Sequence, residues 1–136
     1  MTQVVLLDTN FLLLPAQCGL DIFVETERTL ETRVRFVVLS SSLSEIDSKM
    51  TRLTGGVELR QFRIARELVR KCDVIEVDPA LAGLAVDEQL LVSARSMGAV
   101  LATNDDDLRQ RARAQGVPVL TARGHKRLML DGSAVL

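Results

Sequence analysis

The sequence predicts an α/β fold, a three-layer α/β/α arrangement around a central, mostly parallel sheet of about five strands. Three observations predict it. Short runs rich in Val, Leu and Ala, such as residues 4–7 and 99–102, are too continuous for half-exposed strands and suit strands buried on both faces. Segments of helical periodicity separate these runs, with polar or glycine-containing breaks between them, so strand and helix alternate along the chain. The length of 136 residues is that of one domain able to bury roughly two thirds of its unfolded surface, and residues 1–136 read as a single unit.

Taken in order, residues 4–7 (V-V-L-L) form the first strand, and Asp8 stands at its carboxyl end with no helix start expected directly after it. Residues 11–19 are mostly apolar and are punctuated by Pro15 and Gly19. Asp21 then caps a helix that runs to about Glu31, with Glu25 and Glu27 in its early turns. Residues 35–39 (R-F-V-V-L) are the second strand. They lead into three serines, of which Ser42 fits an S-x-x-E capping box with Glu45 at the start of a helix. Gly55 and Gly56 break the chain. From 57 to 71 the pattern is helical, with Val57, Phe62, Ile64, Ala65, Leu68 and Val69 on one side and Arg60, Arg63, Arg66 and Arg70 on the other. Residues 74–77 are a third strand, Asp78-Pro79 a turn, and 87–97 a helix ended by Gly98. Residues 99–102 are a fourth strand. A helix over 104–115, capped by Asn104 with Asp107 and closed by Gly116, leads to a fifth strand at 118–120, and 126–130 is a candidate for one more edge strand.

Composition narrows the function classes. The apolar share of 47% and charged share of 26% are those of an ordinary globule, and a net charge of −1 gives no bulk attraction for nucleic acid, so local arginine patches matter more than the sum. No apolar run approaches the roughly 18 residues of a membrane span, and the N-terminus lacks the features of a signal peptide. The expectation is a cytoplasmic protein with no membrane contact. Cys18 and Cys72 lack metal-type spacing and read as free, partly buried thiols.

Right-handed crossovers put strand carboxyl ends and the following helix amino ends on one edge of a parallel sheet. Asp8, Glu45, Asp87 and Asp105 all fall on that edge, with Asp107 close by. Glu45 and Asp87 have local explanations, in the capping box and as a helix-dipole partner, whereas a cap at Asn104 with Asp107 leaves Asp105 free to face a ligand. Their coincidence is the informative feature, because converging carboxylates repel unless protons or a cation intervene. All-oxygen ligands favour magnesium or manganese, and such an ion promotes attack of water on a phosphodiester.

On D-T-N at 8–10, Glu45, V-D-E-Q-L-L at 86–91 and T-N-D-D-D-L at 103–108, the chain resembles the PIN-domain nucleases over nearly its whole length. The resemblance implies a PIN-like fold and a metal-dependent endoribonuclease. One or two Mg²⁺ or Mn²⁺ ions would lie among Asp8, Glu45, Asp87 and Asp105, with Asp107 as an outer ligand and Asn10 and Thr103 as supporting polar residues. D-T-N-F followed by L-D-I-F at 20–23, with D-D-D-L-R-Q-R near the end, is similar to the branch that processes small-subunit ribosomal RNA, in its compact archaeal form. The chain looks less like the short PIN toxins of toxin–antitoxin pairs. Family members often pair, and the apolar residues 11–14 would suit a homodimer interface.

Arg60, Arg63, Arg66 and Arg70 suit RNA phosphates, with Arg109, Arg111, Arg113, Arg123, Lys126 and Arg127 able to add to them; a solvated helix face explains them equally. With no aromatic ladder, the expected substrate is single-stranded or looped RNA held by backbone and shape. Two rival readings are a haloacid-dehalogenase-like phosphatase and a non-catalytic RNA- or protein-binding scaffold. The phosphatase is disfavoured by Asn10, which stands where that family needs an acid, and by the lack of a lysine before T-N-D.

Overall fold

Five strands run parallel in one sheet: β1 (Thr2–Leu7), β2 (Arg33–Leu39), β3 (Asp73–Ile75), β4 (Val100–Ala102) and β5 (Val119–Arg123). A sixth, β6 (Arg127–Asp131), pairs antiparallel with β5, giving the order β3-β2-β1-β4-β5-β6. The computed structural model describes residues 2–124 and 126–132. Of the single unit read from the sequence, positions 1, 125 and 133–136 lie outside the described residues.

Alternation along the strands sends side chains to two separate cores. Val5, Leu7, Val38, Val100 and Ala102 face α1 (Thr9–Leu12), α2 (Leu14–Cys18), α3 (Ile22–Leu30), α4 (Ser40–Arg52) and α5 (Gly56–Leu68), where Phe11, Ile22, Ile46 and Phe62 complete the layer. Leu6, Val37, Leu39 and Leu101 face α6 (Val86–Met97) and α7 (Asp106–Ala114), meeting Leu90, Leu91, Ala94, Leu108 and Ala112. Strands covered on both faces explain the unbroken apolar runs. Gly98 ends α6 in a left-handed conformation (φ 63°), which lets the chain turn at once into β4.

The candidate edge strand over 126–130 does pair, as a sixth strand beside the expected five, burying Leu128 and leaving Met129 exposed. Several local expectations need correction. The Ser42–Glu45 capping box does not form: α4 leaves β2 directly with Leu39 at its cap position, so Ser42 lies inside the helix, fully buried, and Glu45 is exposed. The inward side of α5 is Leu59, Phe62 and Ala65, followed by Val69, whereas Val57 and Ile64 are exposed. Apolar residues occur on both sides of that helix, and packing against α4 selects among them. Regular α-helix stops at Leu68, and Arg70 belongs to a 3₁₀ turn, Val69–Lys71.

Residues 11–14 are not free for an interface, since Phe11, Leu12 and Leu14 are buried in the chain's own core. Both cysteines are free thiols, and burial, reinforced by Asp73, pushes Cys72 up to about 12, which makes it a poor nucleophile at neutral pH. Among the described residues no helix is long and apolar enough to cross a membrane.

The single described non-glycine residue with positive φ is Glu31 (φ 54°), the left-handed cap that ends α3. Left-handed geometry strains a residue bearing a Cβ, so Glu31→Gly is expected to raise stability by about 0.5–1 kcal/mol in urea unfolding. A loss of stability would mean that a contact of the Glu31 side chain outweighs the strain.

Candidate active site

The sheet order creates one topological switch point. Crossovers from β1 lead outward to β2 and β3, and the next returns past β1 to β4, so a crevice opens beyond the carboxyl ends of β1 and β4. Backbone bonds fix its floor: Asp8 N–H donates to Ala102 C=O at 2.9 Å, and Thr103 N–H donates to Leu120 C=O at 3.0 Å.

Asp8 is only 8% exposed, and both its carboxylate oxygens accept hydrogen bonds. Oδ1 accepts from Thr9 N–H (2.8 Å), while Oδ2 accepts from the Thr103 hydroxyl (2.8 Å) and the Asn10 amide (3.2 Å). Thr103, itself fully buried, also accepts from Asp105 N–H at 3.1 Å. Asn10 Oδ1 accepts from Asn104 N–H (3.1 Å), and Asn104 Oδ1 accepts from Ala122 N–H (2.9 Å). The ends of β1 and β4 are thereby joined to the middle of β5.

Burial pushes the Asp8 carboxyl up to about 6; the bonds from Thr103 and Thr9 pull the other way, and the charges of Asp87 and Glu45 add to the rise. The latter two acids therefore act on Asp8 across the crevice from opposite faces of the sheet. Asp87 is half-buried in the first turn of α6. Asp105, exposed, is the N-cap of α7 and accepts from Leu108 N–H at 3.0 Å. That corrects the expected cap at Asn104, whose side chain is taken by Ala122 instead. The expectation that no helix begins at Asp8 is also corrected, because α1 starts at Thr9 with Asp8 as its cap.

All these acids offer carboxylate oxygen alone, a donor set suited to a hard divalent cation. Among the described residues, however, no three His, Cys, Asp or Glu side chains stand together closely enough to hold an ion. Asp107 is exposed and lies 3.8 Å from Arg111, which also pairs with Glu88 on α6.

The predicted arginine face is partly consumed. Arg66 pairs with Asp47 at 2.9 Å and Arg70 with Glu67 at 3.4 Å, whereas Arg60 and Arg63 make no ion pair with a described residue. Arg63, Arg66 and Arg70 nevertheless line one open groove with Met50 and Glu67. Arg109 and Arg113 hold Asp131 of β6, and Arg111 is taken up between α6 and α7. Sequence reasoning missed the structural part of Asn104, whose place between two strand ends was the available signal, and missed Gln89, a buried polar residue two positions after Asp87.

The sign of the Asp8 effect is testable in EDTA. Its folded value, about 6, lies above the ordinary 3.8, so the native state holds the proton more tightly than the unfolded chain. The stabilisation is fully present below about pH 4 and is lost as pH rises through 6; at about 1.4 kcal/mol per pH unit the change is roughly 3 kcal/mol. Relative to Asp8→Asn, the wild type should lose up to that amount between pH 4 and pH 7 in urea titrations. A difference independent of pH would refute the assignment.

The family model for a PIN like domain matches residues 5–125. Ribonuclease VapC4 of Methanocaldococcus jannaschii is 26% identical over 127 residues, covering 92% of this chain and 94% of the relative. Ribonuclease VapC9 of Archaeoglobus fulgidus is 28% identical over 97 residues, 71% of this chain and 67% of the relative. Among solved structures, the PIN domain endonuclease Utp24 superposes with a TM-score of 0.78 at 21% identity, covering 96% of this chain and 92% of that one. The VapBC2 complex of Rickettsia felis, solved with a promoter DNA fragment, gives 0.62 at 15% identity over 88% of this chain and 98% of that one. With the switch-point crevice, its acids and a match spanning nearly all of the described fold, the chain belongs to the PIN-like domain family.

Proposed function

We propose that the protein is a divalent-metal-dependent endoribonuclease, using Mg²⁺ or Mn²⁺ and acting in the cytoplasm on single-stranded or looped RNA. The observation that carries this reading is Asp8: a carboxylate at the switch point whose anionic form is opposed first by burial and then by the charges of Asp87 and Glu45. Positive charge is what such a site lacks. Ribonuclease is the named activity of both archaeal relatives, which supports the same reaction class.

Asp8, Glu45, Asp87 and Asp105 would hold one or two ions, with Asp107 as an outer ligand. When bound, the cation supplies charge that eases removal of a proton from water and offsets the negative charge gathering on the phosphate. Asn10 and Thr103 have a positioning part, since their bonds to Oδ2 fix the orientation of the Asp8 carboxylate. Arg60, Arg63, Arg66 and Arg70 would neutralise the RNA backbone; Arg63 is the most available of those lining the groove because it has no ion-pair partner among the described residues.

The D-T-N-F and D-D-D-L-R-Q-R motifs favour a ribosomal RNA precursor as substrate. A second reading, the ribonuclease of a toxin–antitoxin pair, is favoured by the named relatives, both VapC proteins. A homodimer would need a surface other than residues 11–14, of which Phe11, Leu12 and Leu14 are buried.

Purified protein should cleave RNA with Mn²⁺ or Mg²⁺ and lose activity in EDTA, and Asp8→Asn or Asp87→Asn should each reduce cleavage on the order of a hundredfold. Cleavage unaffected by both substitutions would exclude the reading, and fragment mapping on precursor ribosomal RNA against bulk RNA distinguishes the two substrates. Without RNA, millimolar Mn²⁺ should raise the melting temperature of the wild type by several degrees and of Asp8→Asn by much less.

A further inference from the structure

The carboxyl edge of the sheet gathers acids, so a polyanion held there needs cations on the same edge. Such cations are scarce. The first Lys or Arg after β1 is Arg28, after β2 it is Lys49 and after β3 it is Arg95, each in the last turn of a helix, away from the strand end it follows. After β4 it is Arg109, which is occupied by Asp131 at 3.1 Å and Asp106 at 3.6 Å. β5 differs from the other four. Its last residue is Arg123, and Lys126 and Arg127 follow it into β6. All three are exposed and make no ion pair with a described residue.

The end of β5 forms a wall beside the crevice. β5 is parallel to β4 and pairs with it up to Ala102 and Leu120, so residues 121–123 run on past the crevice floor by about 10 Å. Asn104 ties this extension to the floor: its Oδ1 accepts from Ala122 N–H (2.9 Å), and its backbone N–H donates to Asn10 Oδ1 (3.1 Å). A cleft of about 150 Å³, lined by Asn104, Asp106, Arg109, Thr121, Ala122 and Arg123, joins the loop after β4 to the end of β5. The acids on this side are engaged, Asp106 by Arg109 and Asp131 by Arg109 and Arg113.

Within the protein itself the last rung of this hairpin is unfavourable. Arg123 and Arg127 are register partners, so their side chains leave the same face of the sheet. That face is the α7 side, because Ala122 and Leu128 of the next rung belong to the opposite core. Like charges directly opposite one another destabilise a sheet, and Lys126 adds a third cation. An anion lying across the rung reverses the sign of the interaction. The α5 groove cannot take this part at the same edge, since Arg70 stands in the 3₁₀ turn that leads directly into β3 and so places its end of the groove at the amino edge.

We propose that the facing ends of β5 and β6, through Arg123, Lys126 and Arg127, dock the backbone of an RNA strand whose bond to be cut lies among the acids. Phosphates beside the crevice lie across the Arg123–Arg127 rung, and the α5 arginines meet the strand only after it has left this edge. This rests on the ribonuclease reading for the identity of the polymer, and it adds the path of the strand, which that reading leaves open.

The test titrates the full chain against a fluorescein-labelled single-stranded RNA dodecamer in EDTA, at several salt concentrations, so that binding is measured without cleavage. In the variant Arg123→Gln/Lys126→Gln/Arg127→Gln the slope of log affinity against log salt should shrink by about 2, the share of three phosphate contacts, with affinity about a hundredfold lower at about 0.1 M salt. The matching α5 variant, Arg63→Gln/Arg66→Gln/Arg70→Gln, should lose less. The melting temperature of the hairpin variant should equal or exceed that of the wild type, because the like-charge rung is gone. A wild type that binds no RNA, a slope unchanged in the hairpin variant, or an equal or larger loss in the α5 variant overturns the docking surface. So does a lower melting temperature with binding intact, which would assign the three cations to the fold. Docking through the hairpin without metal-dependent cleavage would sink the nuclease and keep the surface; cleavage with binding indifferent to the three substitutions would do the reverse.

Discussion

The hydrogen bond from the Thr103 hydroxyl to Asp8 joins residues 95 positions apart and is the contact on which the site depends. It exists because β1 and β4 are neighbours and both stop at the same level, so that the first residues beyond each strand face one another. Everything else at the edge is referred to that pair. Asn10 reaches the same oxygen, Asp105 N–H reaches the same hydroxyl, and Asn104 ties the loop to β5. The polar groups of the crevice floor thus form one connected set, and removing a member leaves its neighbours with buried bonds unmade.

Such a floor is not built for stability. A carboxylate buried among like charges lowers the stability of the native state at neutral pH, and the compensation lies in the two apolar layers beneath it. Those layers are continuous with the strands that deliver the acids: Leu6 and Leu7 are fully buried immediately before Asp8, as are Leu101 and Ala102 before Thr103. Rigid strands therefore set the depth of Asp8, while Asp87, Glu45 and Asp105 stand on the helices and junctions around it and have more freedom.

Much of this was legible in the sequence. An apolar run ending in Asp8, and another ending in Thr103, announce buried parallel strands and the residues just past them, and right-handed crossover then places Asp87 and Glu45 on the same edge. What was not legible depended on packing between distant segments. Ser42 satisfies the spacing of a helix cap, yet α4 begins so close to β2 that the residue is carried into the core. Asn104 looks like a cap until the register of β5 brings Ala122 N–H to it. In α5, Val57 and Ile64 are as apolar as Leu59 and Phe62, and only the neighbouring helices decide which pair is buried. Gln89 gives no local sign at all, because its partners lie in the turn before its own helix.

Arg111 has a mechanical consequence. From α7 it engages Asp107 on its own helix and Glu88 on α6, and so acts as a strut between the two helices on one face of the sheet. Asp87 and Asp105 stand at the heads of those two helices, so the strut links the elements that carry them. Glu45 belongs to α4 on the opposite face, outside that brace. The crevice is accordingly braced on one face of the sheet and unbraced by Arg111 on the other.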